Sequence, residues 1–347
     1  NAHLLYISCL LKASFGGKLD IVQDVLEKDI DMNATTGDYG NALQAAASKG
    51  ELEIVKFLVE KGANVNAQGS FCGNALQATA YWGKLEIMKL LIEKDADVNA
   101  QGGDYGNALQ AAAYGGELEI VKFLVEKGAD INAEGSKYGN ALQAAVFMGH
   151  IEIVRFLVEK GADISAEDSK YGNALPAAVY RSDLEIVKFL IEKGKGADIS
   201  AEGSRYGNAL QAAAYGGKLE IVKFLVEKGA DISAKGGRYG NALQAAAYGR
   251  KLEIVKLLVE KGADVNAQGG SYGNALQAAV FMGHIGIVKF LVEKGADINA
   301  EGGKYGNALQ AAAHWGRLEI VKYLVEEGAD GHAQGSKFGT AMRAALK

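Results

Sequence analysis

The sequence predicts an all-α fold, a solenoid of about ten helix-turn-helix units with projecting hairpin loops, and three observations carry that prediction. An Asn-Ala-Leu word recurs at a fixed period, an amphipathic run follows each copy, and a stretch rich in Gly and Asn separates one run from the next. The Asn falls at Asn41, Asn74, Asn107, Asn140, Asn173, Asn208, Asn241, Asn274 and Asn307, with Thr340 in the same slot. Every step is 33 residues except one of 35. A period of that length belongs to units that bury their faces only against their neighbours, so one continuous core replaces several globular ones. The reading is a single solenoid over residues 1–347: a degenerate first repeat at 1–38, full repeats at 39–337 and a partial last repeat at 338–347.

Each element of the unit has a local cause. Asn41 is a good helix N-cap, and Gln44, three residues on, is placed to complete a capping box. The alanines that follow let neighbouring helices approach closely, and Gly50 ends the short first helix. In LEIVKFLVEKG the apolar residues Leu52, Val55, Leu58 and Val59 fall at helical spacing, with Glu53, Lys56 and Glu60 on the other face. Gly62 stops this second helix. The segment after it, as in ADVNAQGGSYG, has the Gly, Asn and Asp density of a tight turn or hairpin.

A helix, a short turn, a second helix and a hairpin in every unit resemble the ankyrin repeat. GKLEIVKFLVEKGADISA at 217–234, GHIEIVRFLVEKGADISA at 149–166 and their copies carry the resemblance over essentially the whole chain. Two departures are local. Asn-Ala-Leu-Gln stands where the family usually has Thr-Pro-Leu-His, and pairs such as Tyr105-Gly106 stand where the family has its Gly one position earlier. The GNALQAAA variant is similar to ankyrin arrays of fungal proteins, including those at the C-terminal end of NOD-like receptors with a NACHT domain. The resemblance implies a non-catalytic protein-protein interaction module, the sensor array of a larger intracellular protein.

Composition excludes several other classes. A net charge of −5, with 23% charged and 49% hydrophobic residues, gives no general basis for nucleic-acid binding, which rests on Lys and Arg against phosphates. No apolar run reaches the length of a membrane span. Two cysteines, Cys9 and Cys72, make neither a disulfide framework nor a metal cluster, and fit a cytosolic or nuclear setting. The start at Asn1 and the end at Lys347 inside a repeat suggest a fragment of something longer. Of the histidines His3, His150, His284, His314 and His332, the pair His150 and His284 share one repeat slot, which points to structure. Motifs such as GGDYG lack the strand and single helix N-terminus that a phosphate cradle needs. No nucleophile-base or paired-carboxylate constellation stands apart from the repeat, so no enzyme, cofactor or metal is expected.

Positions that change from unit to unit carry the functional argument. At the end of the first helix a variable pair runs Phe15-Gly16, Ser48-Lys49, Tyr81-Trp82, Tyr114-Gly115, Phe147-Met148, Tyr180-Arg181, Tyr215-Gly216, Tyr248-Gly249, Phe281-Met282 and His314-Trp315. The resemblance implies that this end of the helix lines the concave groove. For the first ring of each pair two readings stand, packing on the next unit or a recognition surface. The second residue swings from Gly to Trp, Met, Lys and Arg, which favours recognition at Trp82, Met148, Arg181, Met282 and Trp315. In the hairpin, the residue before the Tyr-Gly step is Asp38, Phe71, Asp104, Lys137, Lys170, Arg205, Arg238, Ser271, Lys304 and Lys337 in turn. The basic members would steer an acidic or phosphorylated segment. The constant tyrosines beside them, such as Tyr105 and Tyr239, are read as structural.

The expected function is non-covalent capture of a protein or peptide in the groove by a monomeric array, with no role for nucleic acid or membrane. The alternative is a structural spacer or self-assembling scaffold that stacks end to end. One region departs from the pattern: Pro176 replaces the capping Gln, Arg181-Ser182-Asp183 replaces the closing Gly step, and two extra residues fall near Lys195. Weaker coupling between the units on either side is expected there.

Overall fold

The structure is a computed structural model that describes residues 2–37, 39–69, 71–167, 173–193, 198–201 and 206–332. Twenty helices stand among the described residues, in ten consecutive pairs from Ala2–Phe15 with Leu19–Leu26 to Ala308–His314 with Leu318–Glu326. The described residues form no strand, only isolated antiparallel bridges at hairpin tips, as between Gly102 and Gly106. The all-helical solenoid of paired helices is thus the fold the period predicted. Thr340 and the partial last repeat lie outside the described residues. The chain divides into two compact units, Asn1–Ala174 with Gly194–Gly196, and Leu175–Lys193 with Ala197–Lys347.

The repeat that opens at Asn107 shows how the sequence dictates the unit. Asn107 is extended, with φ −104°, and its Oδ1 accepts from the Gln110 backbone N–H at 2.9 Å. Gln110 Oε1 in turn accepts from the Asn107 N–H at 2.7 Å, which satisfies two donors that a helix start leaves without partners. Helix Ala108–Gly115 follows and ends at Gly116, whose φ of 85° a side chain would strain. The same reciprocal box opens the helices at Asn41, Asn74, Asn140, Asn208, Asn241, Asn274 and Asn307.

The Gln has a second task that the capping pattern alone does not reveal. Its Nε2 donates to two carbonyls of the following hairpin, Ala133 at 2.9 Å and Gly139 at 3.0 Å in the case of Gln110. Gln44, Gln77, Gln211, Gln244 and Gln277 bond to the same two positions of their own following hairpins. One buried side chain therefore closes its own helix and ties it to the next repeat.

Packing follows from side-chain size. The first-helix alanines, Ala108 and Ala111 to Ala113 among them, are fully buried, and their lack of bulk brings consecutive first helices together. In the second helix, Leu52–Glu60, the buried stripe is Ile54, Val55 and Leu58. Leu52 and Val59, expected in that stripe, are half-buried instead. The helix lies on its own first helix along one face and meets the next second helix, Leu85–Glu93, more sparingly, so the stripe is narrow and its flanks stay partly wet. Glu53–Lys56 and Glu119–Lys122 pairs at 2.8 Å decorate the outer face and contribute little.

Hairpins stack backbone on backbone. A Cβ on Gly103 would lie 2.5 Å from the carbonyl carbon of Cys72, and one on Gly270 would lie 2.5 Å from that of Tyr239. Gly103 of GGDYG and Gly270 of GGSYG are therefore required by this close approach. Below the hairpins, Asn99 Oδ1 accepts from the Asp130 N–H of the next repeat at 2.8 Å, and its Nδ2 donates to the Gly128 carbonyl at 3.2 Å. Asn66 and Asn266 make the same two bonds. Where the sequence has Ser, as at Ser165 and Ser233, the hydroxyl instead donates to the Asp two residues earlier, at 2.6 Å.

The irregular repeat keeps its helices. Pro176 is the third residue of helix Ala174–Arg181, in the first turn, where its missing N–H has no intrahelical partner to lose. Ser182 takes the left-handed conformation, with φ 68°, that Gly has elsewhere. Asp183 Oδ1 accepts from the Ile186 N–H at 3.0 Å and so caps the next helix, Leu184–Lys193. The two added residues near Lys195 lie outside the described residues.

Candidate functional site

The first ring of each variable pair and the constant hairpin tyrosine interleave in a ladder. In the first compact unit Tyr81 lies 4.7 Å from Tyr105 between ring centroids, Tyr105 5.0 Å from Tyr114, Tyr114 4.4 Å from Tyr138, and Tyr138 5.5 Å from Phe147. A second ladder runs through the other unit from Tyr206 to His314. There Tyr215, Tyr239, Tyr248 and Tyr272 follow one another at 4.9, 4.6 and 4.7 Å, and Phe281, Tyr305 and His314 continue the row. Distances of this kind are those of favourable aromatic contact. Tyr81, Tyr114, Phe147, Tyr215, Tyr248, Phe281 and His314 are all half-buried, while Tyr180 is 54% exposed. The rings thus pack between repeats and still present part of their surface to water.

Three phenols of the ladder are held above the ordinary tyrosine range. Burial first, then a hydrogen bond with Tyr81, holds the Tyr105 phenol above the ordinary tyrosine range. Burial and a hydrogen bond with Tyr215 do the same at Tyr239. At Tyr114 the hydrogen bond with Tyr138 is the leading cause and burial the next.

The second residue of the pair behaves differently from the first. Trp82 is 48% exposed and Trp315 42%, each set edge-on against a ladder ring, Tyr81 at 4.8 Å and Phe281 at 5.0 Å. Arg181 is exposed, and Met148 and Met282 are half-buried. The glycines at this position are less free than their variability suggested. A Cβ on Gly115 would lie 2.6 Å from the Tyr81 carbonyl oxygen and one on Gly249 2.5 Å from that of Tyr215, so close helix approach demands Gly there. At Gly216, by contrast, a Cβ would meet only the Lys218 side chain, at 3.2 Å.

The basic hairpin residues lean on the ladder. Lys137 Nζ lies 5.7 Å from the Tyr138 ring centroid, Lys304 Nζ 5.4 Å from that of Tyr305, and the Arg238 guanidinium 6.0 Å from that of Tyr239. Arg238 also donates to the Tyr272 hydroxyl at 3.4 Å. These cation–π contacts hold positive charge beside the rings at small gain, because all three side chains are exposed. Lys170 and Arg205 lie outside the described residues, as do Asp38 and Lys337.

His150 and His284 serve the scaffold. A ring nitrogen of His150 lies 3.2 Å from the Tyr114 carbonyl in the preceding repeat, and His284 Nδ1 accepts from the Ile287 N–H at 3.3 Å. No group of three metal-ligating side chains occurs among the described residues, and no described helix is long and apolar enough to cross a membrane.

One concavity joins Trp82 to residues that the sequence reading did not propose as binding residues. Phe15, Tyr39, Ser48, Lys49, Phe71 and Trp82 line a hollow of about 180 Å³ near the N-terminal end of the first ladder. Its signal was present in the two ring columns, where Ser48 and Cys72 are consecutive non-aromatic members.

Comparison with known families gives one result. Residues 10–102, 101–168, 165–236 and 243–335 each match a family model described as ankyrin repeats in three copies. Curated proteins yield no match.

Proposed function

The chain belongs to the ankyrin repeat family, whose members are generally non-catalytic protein-protein interaction modules, and on that premise we propose that the ring-bearing face of each compact unit captures an extended segment of another protein. In this reading the half-buried ladder of each unit is a packed floor, and the residues that rise from it are the grips. In the first unit these are Trp82 and Met148, with Tyr81, Tyr114 and Phe147 beneath. In the second they are Tyr180, Arg181, Met282 and Trp315, with Tyr215, Tyr248, Phe281 and His314 beneath. Lys137, Arg238 and Lys304, together with Lys170 and Arg205 by their sequence position, would draw in acidic or phosphorylated residues.

The observation that carries the reading is the exposure of Trp82 and Trp315 above rings already packed. Large aromatics of this kind are enriched among the residues that dominate binding energy, and a preordered floor lowers the entropy lost on binding. Selection of peptides from a random display library against the full chain, followed by titration of the selected peptides, tests it. W82A/M148A and R181A/W315A variants should each weaken part of the selected set by about tenfold or more. Equal affinity of every selected peptide for both variants and the parent, or no binder at all, would overturn the reading.

End-to-end stacking of copies has one observation in its favour. Leu4 and Leu5 are 61% and 71% exposed on helix Ala2–Phe15, and Leu318 is 64% exposed on Leu318–Glu326. Light scattering that shows growth of mass with concentration would support that reading, and a constant monomer mass would exclude it.

A further inference from the structure

The hollow beside Trp82 is a gap in the aromatic ladder two rungs long. Following the interleaved order, the rungs run Phe15, Tyr39, Ser48, Cys72, Tyr81 and Tyr105, so helix and hairpin positions both lose their ring at one place. On one side Phe15 and Tyr39 form a pair at 4.3 Å. On the other Trp82 stands against Tyr81, and Phe71 sits edge-on to Tyr105 at 6.4 Å. Among the described residues no ring contact joins the two sides. Phe71, Trp82 and Tyr39 are all exposed, although each neighbours a position where a further ring would cover it.

We infer that this gap is a socket for one uncharged aromatic side chain carried by the bound protein segment, which stands in for the missing rungs. The inference rests on the reading of the ring face as a recognition surface and adds the chemistry of one anchor. Size agrees, since a cavity of about 150 Å³ already admits benzene and this one has about 180 Å³. Geometry agrees, since rings flank the gap on both sides and successive rings from Tyr81 to Phe147 and from Tyr206 to His314 stand 4.4 to 5.6 Å apart.

Charge selects among ring-seeking ligands. Four aromatic walls would ordinarily suit a quaternary or methylated ammonium. Here Lys49 places its own ammonium 4.5 Å from the Phe15 ring centroid, at the socket wall. A second cation would be repelled, whereas the electron-rich face of a guest ring would meet Lys49 as a further cation–π partner. The second missing rung, Cys72, adds no charge: burial, then the Asp104 carboxylate, pushes its thiol up to about 12, so it stays protonated at physiological pH. The Ser48 hydroxyl donates to the Ala45 carbonyl at 2.8 Å and keeps lone pairs for an indole N–H or a phenol.

The test is a ¹⁹F NMR titration of N-acetyl-5-fluorotryptophan amide into the full chain. The wild-type chain should give a saturable shift, and tetramethylammonium in excess should leave that shift unchanged. S48Y refills one rung and should weaken the probe by about tenfold or more while raising the melting temperature. F71A, which removes an exposed wall and leaves the core alone, should weaken it similarly, and K122A, on the outer face, should change it less than about twofold. Absence of a saturable shift, undiminished binding to S48Y and F71A, or displacement by tetramethylammonium would each overturn the socket. None of these results bears on the peptides selected above, whose affinity for R181A/W315A is read separately, so the failure of the socket and of the wider reading are distinguishable.

Discussion

The repeat that opens at Asn107 and the one that opens at Asn173 share a helix pair and differ in what fastens it. Gln110 bonds to two carbonyls of the hairpin that follows, and Asn99 and Asn132 each bond to the backbone of a later repeat. Pro176 has no donor to offer the corresponding carbonyls of Ala201 and Gly207, and Ser165 turns its hydroxyl to its own Asp163. Helix Ala174–Arg181 nevertheless forms, and the border between the compact units falls at Ala174, two residues from the proline. The difference teaches that the helices and the ties between them are written by separate residues: alanine and the apolar stripe specify one, buried amides the other.

The largest effect should come from removing a tie in the regular repeat. Gln110→Ala deletes two bonds to the next hairpin and one to its own cap, a loss of about 3 kcal/mol at about 1 kcal/mol per net hydrogen bond. Hydrogen exchange should show it as lost protection on both sides of Gly139. A repeat array need not unfold in one step, so local exchange is a better readout than a single midpoint. The converse change, Pro176→Gln, should add protection between Leu175 and Leu210 by about 1 to 2 kcal/mol. No change in either variant would mean that apolar stacking alone couples the repeats.

Two smaller predictions sharpen the contrast. Ser182→Gly should stabilise the irregular repeat by about 1 kcal/mol, because Ser182 holds a left-handed backbone that glycine adopts without strain; a lowered melting temperature would show that the conformation is not costly there. Asn107→Ser should be nearly neutral. Serine keeps the capping oxygen and removes a buried amide nitrogen, Asn107 Nδ2, that has no hydrogen-bond partner. Asn107→Ala, which loses the cap as well, should cost about 1 kcal/mol. Equal melting temperatures for the Ser and Ala variants would remove the capping argument.

Much of the fold was legible because its signals are local. The Asn and Gln of the capping box and the Gly stops each concern residues within about a turn of one another, and the period shows only that these local words recur. Signals that join residues 23 to 36 apart were not readable in the same way, as the second bonds of Gln110 and the reach of His150 to Tyr114 show. The site was legible by half. Variability pointed to Trp82 and Trp315, which are exposed, yet the same test overvalued the glycines, since Gly115 is fixed by the Tyr81 carbonyl. It also passed over Ser48, where the informative event is an absent ring. A column of side chains shows its gaps only when helix and hairpin positions are interleaved as they lie in space.

The division of labour between packed and open rings can be measured directly by recording stability and binding on one set of variants. Tyr114→Ala and Tyr239→Ala should lower the melting temperature, since each removes a rung with ring contacts on both sides. Trp82→Ala and Trp315→Ala should leave the melting temperature within about a degree or two while weakening the selected peptides by about tenfold. Tryptophan variants that melt early and bind normally would contradict the account, because the exposed rings would then be scaffold and the surface would have no grip.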